Sequence, residues 1–112
     1  LGDVYKRQIL EHAVLEVKPE LVDSFLESIE QAKHIMLANE GCRSLQVVRS
    51  IETPNRFVLL VEWDSLEAHT ERFRGTPAYE EWRALLHHHY DPMPTVEHFT
   101  TVVGESPARY RA

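Results

Sequence analysis

Phe57-Val58-Leu59-Leu60-Val61-Glu62-Trp63 (FVLLVEW) opens with an unbroken apolar run. Successive side chains of a strand point to opposite faces, so a run without polar alternation predicts a strand covered on both sides. Upstream, Cys42–Ser50 reads as a second extended segment, and Ile51-Glu52-Thr53-Pro54-Asn55 between the two has the Pro and Asn of a turn, which predicts a hairpin ending at Trp63. Further back, Ile9–Val17 (ILEHAVLEV) reads as a strand with Ala13, Leu15 and Val17 on one face and Leu10, His12, Val14 and Glu16 on the other.

Between these strands, Pro19 suits a helix start, and Val22, Phe25, Leu26, Ile29, Ala32 and Met36 recur at helical spacing until Asn39-Glu40-Gly41 stops the run. Glu20, Asp23, Glu27, Glu30 and His34 form its outward, solvated face. Downstream, Asp64-Ser65-Leu66-Glu67 has a capping-box pattern and predicts a second helix running toward Gly75. Thr76-Pro77 starts a third, with Tyr79, Trp82, Leu85 and Leu86 along one side. Tyr90-Asp91-Pro92-Met93-Pro94 then breaks the chain before a final strand, Thr95–Val103. The order β-α-β-β-α-α-β predicts an α+β, ferredoxin-like antiparallel sheet with its helices on one face. The bare face, apolar along the Phe57 strand, calls for a second copy, so a homodimer is expected.

The chain has 112 residues, 43% of them hydrophobic and 27% charged, which fits one domain, assigned to residues 9–103. Leu1–Gln8 (LGDVYKRQ) shows neither alternation nor an apolar signal core and resembles translated adapter read-through. It is treated as a doubtful extension, and Gly104–Ala112 as a flexible tail. No run approaches the roughly 18 apolar residues of a membrane span. Twelve Lys and Arg against eighteen Asp and Glu give a net charge of −6, which argues against nucleic acid as a partner. Cys42 is the only cysteine, which excludes an internal disulfide and fits a reducing cytoplasm.

The seven histidines separate by position. His34 belongs to a solvated face. His87-His88-His89 end the third helix, where they suit its dipole, and consecutive residues about 100° apart do not converge on one ion, so no metal site is expected. Leu66, His69 and Phe73 are spaced three and four apart, which places the His69 imidazole on the buried side of the second helix. Trp63 shares parity with Phe57, Leu59 and Val61, so Trp63 and His69 should border one cavity between sheet and helices. A core histidine bonded to one carbonyl is the alternative reading of His69. His12 and His98 lie on strands that are neighbours in such a sheet and form a possible second pair, with a structural role weighed above a catalytic one. Cys42 has no sequence-adjacent base to activate it. G-x-G-x-x-G, G-x-x-x-x-G-K-[ST], G-x-S-x-G and H-E-x-x-H are all absent, and no motif marks a tightly bound cofactor.

Phe57–Trp63, with Asp64–His69 (DSLEAH) and Phe73–Leu86 (FRGTPAYEEWRALL), resembles the antibiotic biosynthesis monooxygenase family, and the resemblance extends over Ile9–Val103. It implies a dimeric α+β barrel with one pocket per subunit. It also implies oxidation of a small quinol- or anthrone-like aromatic by O₂ without metal or flavin, in which the protein binds, deprotonates and excludes water. Trp63 matches the family tryptophan. His69 stands where those enzymes have a pocket tyrosine and is expected to take the proton, and Arg83 falls near the pocket arginine that steadies the anion. Leu59 replaces a pocket asparagine, which points to a different substrate, and Phe73 and Trp82 are expected to line the pocket with it. The haem-degrading branch has an Asn on the first strand and a His nine or ten residues after the Trp, where this chain has His12 or Ala13 and Arg72 or Phe73, so haem cleavage is disfavoured. The reading leans to an enzyme. A non-catalytic small-molecule-binding or stress-related dimer stays open beside it.

Overall fold

The computed structural model describes residues 9–104. The expectations for Leu1–Gln8 and for the tail beyond Gly104 lie outside the described residues. Strand β1 (Ile9–Glu16) is followed by a 3₁₀ turn over Pro19–Leu21 and helix α1 (Val22–Leu37). The hairpin strands β2 (Cys42–Arg49) and β3 (Arg56–Trp63) come next. A π-helical segment (Ala68–Phe73), helix α2 (Pro77–Leu86), a 3₁₀ turn (His87–His89) and strand β4 (Val96–Phe99) complete the order. The four strands form one antiparallel sheet in the order β2-β3-β1-β4, with the helices on one face, as the ferredoxin-like reading requires.

Pairing Ala13 with Leu59 and Leu15 with Phe57 puts the apolar parity of β1 beside that of β3. The α1 stripe of Phe25, Ile29, Ala32 and Met36 is buried against them. Leu26, expected on that stripe, is 40% exposed, because it lies about 100° around the helix from Phe25. Trp82 and Leu86 are the buried residues of α2. On the opposite face of the sheet Val58 and Leu60 are half-buried beside Leu10 and Val14, while Val48 and Phe99 are exposed.

Two expectations are corrected. The second helix is a wide π-helical turn rather than a capped α-helix: Asp64 binds Arg43 at 3.0 Å, and Ser65 Oγ accepts from the Ala68 N–H at 3.2 Å instead. The last strand stops at Phe99 rather than Val103, because Phe99 already pairs with Leu10, next to the Ile9 end of β1. Gly41 holds the wide turn against the sheet. It adopts φ +95°, a Cβ there would lie 2.7 Å from the Ala68 Cβ, and its carbonyl accepts from the Asp64 N–H at 2.8 Å.

Candidate functional site

The π-helical turn is what delivers the first site residue. The Arg74 N–H donates to the His69 carbonyl five residues back, at 3.2 Å, and this widened ring turns His69 toward the sheet, where it is 3% exposed. Its imidazole stacks on the fully buried Trp63 with ring centroids 4.9 Å apart and planes 15° apart. His69 Nδ1 lies 2.8 Å from His98 Nε2, and His69 Nε2 lies 3.5 Å from Glu11 Oε1. The same carboxyl oxygen accepts from Trp63 Nε1 at 2.9 Å. Glu11 is therefore a buried acid, 3% exposed, tied to the tryptophan and facing the imidazole.

Of these groups Glu11 and His69 line a cavity of about 240 Å³ between sheet and helices, whereas His98 and Trp63, the latter expected to border it, are not part of its lining. Glu11, His69 and Arg74, with His87, Tyr79 and Tyr90, supply its charged and titratable lining, while Leu15, Met36, Leu59, Phe73 and Trp82 supply much of its apolar wall. Burial pushes the Glu11 carboxyl above the usual carboxylate range, against the opposing pull of the Trp63 hydrogen bond and the Arg74 charge. Burial, with help from Arg74 and His98, pushes His69 down to about 3, so the 3.5 Å approach to Glu11 joins a neutral imidazole and a carboxyl rather than an ion pair. His98 is lowered by burial and by Arg74. The Cys42 thiol is pushed up to about 11, chiefly by burial and next by Glu11, and stays protonated.

His69, Leu59, Phe73 and Trp82 thus meet at one cavity, with Trp63 stacked behind the imidazole. Arg83 does not join them. It is exposed, pairs with Glu80 at 3.1 Å and lies over the Tyr79 ring, because Trp82 and Leu86 occupy the buried stripe of α2. Arg74 is the cation that lines the cavity. The His12–His98 pair is also corrected: β4 registers His98 opposite Glu11 and Glu97 opposite His12, so the two imidazoles lie on opposite faces of the sheet. His12 instead meets Phe99 edge-on at 5.8 Å. His89 is fully buried, with Nε2 2.9 Å from Ser24 Oγ and Nδ1 3.1 Å from the Leu86 carbonyl, which makes it a cap and a packing residue at the end of α2.

Sequence reasoning missed Glu11 and Arg74. Glu11 carried a signal, since it shares parity with Ile9, Ala13, Leu15 and Val17 and is the one charged residue of that face. Arg74 carried none, because it follows Phe73 in a turn whose direction depends on the π-helical widening.

The model of the family described as antibiotic biosynthesis monooxygenase matches residues 8–85. The uncharacterised protein YczJ of Bacillus subtilis is 43% identical over 94 residues, which are 84% of this chain and 99% of that one. Among solved structures, a protein from Bordetella bronchiseptica that carries the family's name superposes with TM-score 0.81 at 31% identity, over 86% of this chain and 98% of that one. A conserved protein from Methanosarcina mazei shares the fold with TM-score 0.77 at 23% identity, over 89% and 98%. Among the described residues no helix is long and apolar enough to cross a membrane.

Proposed function

The chain belongs to the antibiotic biosynthesis monooxygenase family, and from that premise we propose that it is a cofactor-independent monooxygenase that oxidises a small quinol- or anthrone-like aromatic with O₂. The observation that supports this reading is the two-ended cavity: an apolar body for aromatic rings, and a polar end where a carboxyl, an imidazole and a guanidinium converge. At about 240 Å³ it lies below the range of about 300–1,000 Å³ typical of drug-sized ligands, which suits a molecule of one to three fused rings and not a tetrapyrrole.

The chemistry asks three things of the protein. An activated C–H or phenolic O–H must lose its proton, leaving an electron-rich anion. That anion passes an electron to O₂, and the resulting radicals combine into a carbon-bound peroxide. The peroxide takes a proton and loses water, so that an anthrone-type CH₂ and one O₂ become a carbonyl and one H₂O. His69, held flat by its stacking on Trp63, forms a rigid wall beside the rings. Arg74, at the same end as Glu11 and His69, steadies the anion in the role that Arg83 was expected to fill. Burial of Glu11 and His69 strengthens the interactions they make, while Arg74 is itself exposed.

The second element of the reading is a homodimer. Leu10, Val14, Val58, Leu60, Val48 and Phe99 give the open sheet face an apolar, self-complementary surface suited to a two-fold contact. The deciding experiment is oxygen uptake by chelator-treated protein with a panel of hydroquinones, naphthols and anthrones. Saturable uptake with a quinone or hydroxyquinone product is expected. Aromatics that bind without any uptake would sink the oxidative reading and leave a binding module.

A further inference from the structure

The polar end of the cavity holds two groups able to take a proton, and their contacts distinguish them. His69 Nδ1 is bonded to His98 Nε2 at 2.8 Å, and Nε2 faces Glu11 Oε1 at 3.5 Å, beyond a hydrogen bond. A neutral imidazole has one donor and one acceptor nitrogen. An ionised Glu11 only accepts, so the tautomer that suits it carries the His69 proton on Nε2 and takes the His98 Nε2–H at Nδ1, and in that tautomer neither His69 nitrogen offers a lone pair to a ligand. Glu11 is placed differently. Its Oε1 accepts from Trp63 Nε1, no other hydrogen bond to its carboxyl is made among the described residues, and the residue lines the cavity beside Ala13 and Leu15. A glutamine would satisfy Trp63 equally well, so packing alone does not call for an ionisable group there.

We propose that Glu11 is the catalytic residue that takes the substrate's proton, and that His98 and His69 are positioning residues that hold a fixed N–H toward its carboxylate. This rests on the oxidation proposed above for the same cavity. In the step, the substrate O–H or C–H bond breaks, its electron pair stays on the substrate, and an O–H bond forms on Glu11. After O₂ adds, the proton returns from Glu11 to the peroxide, so the residue ends the cycle as it began. The 3.5 Å separation from His69 is of the length that catalytic contacts commonly show before a ligand fills the site. Burial favours the protonated carboxyl and makes Glu11 a stronger base than an exposed glutamate. Trp63, His69, His98 and Arg74 are the donors and charges facing it, and Cys42 and Tyr90 are close enough to feel its charge.

The test uses 4-nitrophenol, whose phenolate is yellow, buffered below the dye's own pKa and added to the full chain. Binding to wild type should raise the phenolate absorbance together with an infrared carbonyl band from a newly protonated carboxyl. Glu11→Gln should bind the dye as the neutral phenol, with the phenolate fraction down about tenfold or more and the infrared band gone. His69→Gln should keep both signals, shifted in frequency where the fixed N–H is lost. Phenolate that persists in Glu11→Gln but vanishes in His69→Gln would overturn the assignment, as would a wild type that binds the dye only as the phenol or not at all. If Glu11→Gln does not fold, Glu11→Asp decides through the frequency of its carboxyl band, which moves if residue 11 takes the proton and stays if it does not. Oxygen takes no part in this measurement. Failure of oxygen uptake with success here therefore removes the oxidation and keeps the proton acceptor.

Discussion

β1 and β4 set a glutamate against a histidine twice, once on each face of the sheet. Glu11 registers with His98 toward the helices, and His12 registers with Glu97 on the open side. The residue types are the same and the surroundings are not. On the helix side the carboxyl is buried, bonded to Trp63 and pushed up by burial, and its imidazole neighbours are pushed down. On the open side Glu97 is exposed, and His12 lies half-buried against Phe99. What makes a chemical site of the first pair is the imidazole stacked on Trp63 and the buried acid beside it at one cavity, whereas the hollow that His12 lines with Leu10 and Phe99 on the open face has no such stacked pair or buried carboxyl.

The largest test of that difference replaces the carboxyl on each face in turn. Glu11→Gln should lower turnover in the oxygen-uptake assay by the roughly 10²–10⁴-fold typical of a lost general base. Glu97→Gln should stay within about a factor of two, the scale of a ±0.5 kcal/mol surface change. Equal losses from the two substitutions would mean that the buried position confers nothing. Next in size is a charge placed on the open face. Leu60→Arg puts a charge in the middle of the apolar face that the proposed dimer would bury, where an unpaired charge costs several kcal/mol. Light scattering should find a dimer for wild type and a monomer for the variant. A wild-type monomer would leave the apolar open face without its proposed cover.

Much of this arrangement was legible in the sequence because it follows from periodicity. Alternation in Ile9–Val17, the apolar run from Phe57 and the stripe of α1 specify which faces meet, and the sheet and its helix layer follow. Three-and-four spacing likewise brought His69 to the cavity, while parity brought Trp63 only to the far side of the imidazole, stacked on it and outside the lining. The misses arise where period gives no direction. Asp64-Ser65-Leu66-Glu67 has the composition of a cap, but Arg43 draws Asp64 away and the turn widens. Arg83 sits on a regular helix whose buried stripe was correctly identified, yet its own side chain pairs outward with Glu80. The relation of His12 to His98 required the register of β4 on β1, and register depends on contacts between strands that no single strand encodes.

The smallest effect is thermodynamic, and it separates the two partners of the buried site by sign. His69 has its folded-state pKa depressed from 6.5 to about 3, so its contribution to stability is fully present above pH 6.5 and is lost as pH falls toward 3. Each group titrating out of register between folded and unfolded chains contributes a slope of at most about 1.4 kcal/mol per pH unit. Glu11 is raised above 4.5, so its contribution is present below that pH and declines as pH rises through the folded-state value. His98, also lowered, adds to the His69 slope, and the Arg74 charge acts on all three groups. Urea midpoints measured from pH 4 to 7 should therefore respond in opposite directions. His69→Gln should flatten the rise of stability between about pH 4 and 6.5, while Glu11→Gln should steepen it by removing the opposing slope. If His69→Gln and Glu11→Gln both flattened the curve, the two groups would titrate as an ion pair, and the neutral imidazole on which the proton assignment depends would have to be abandoned.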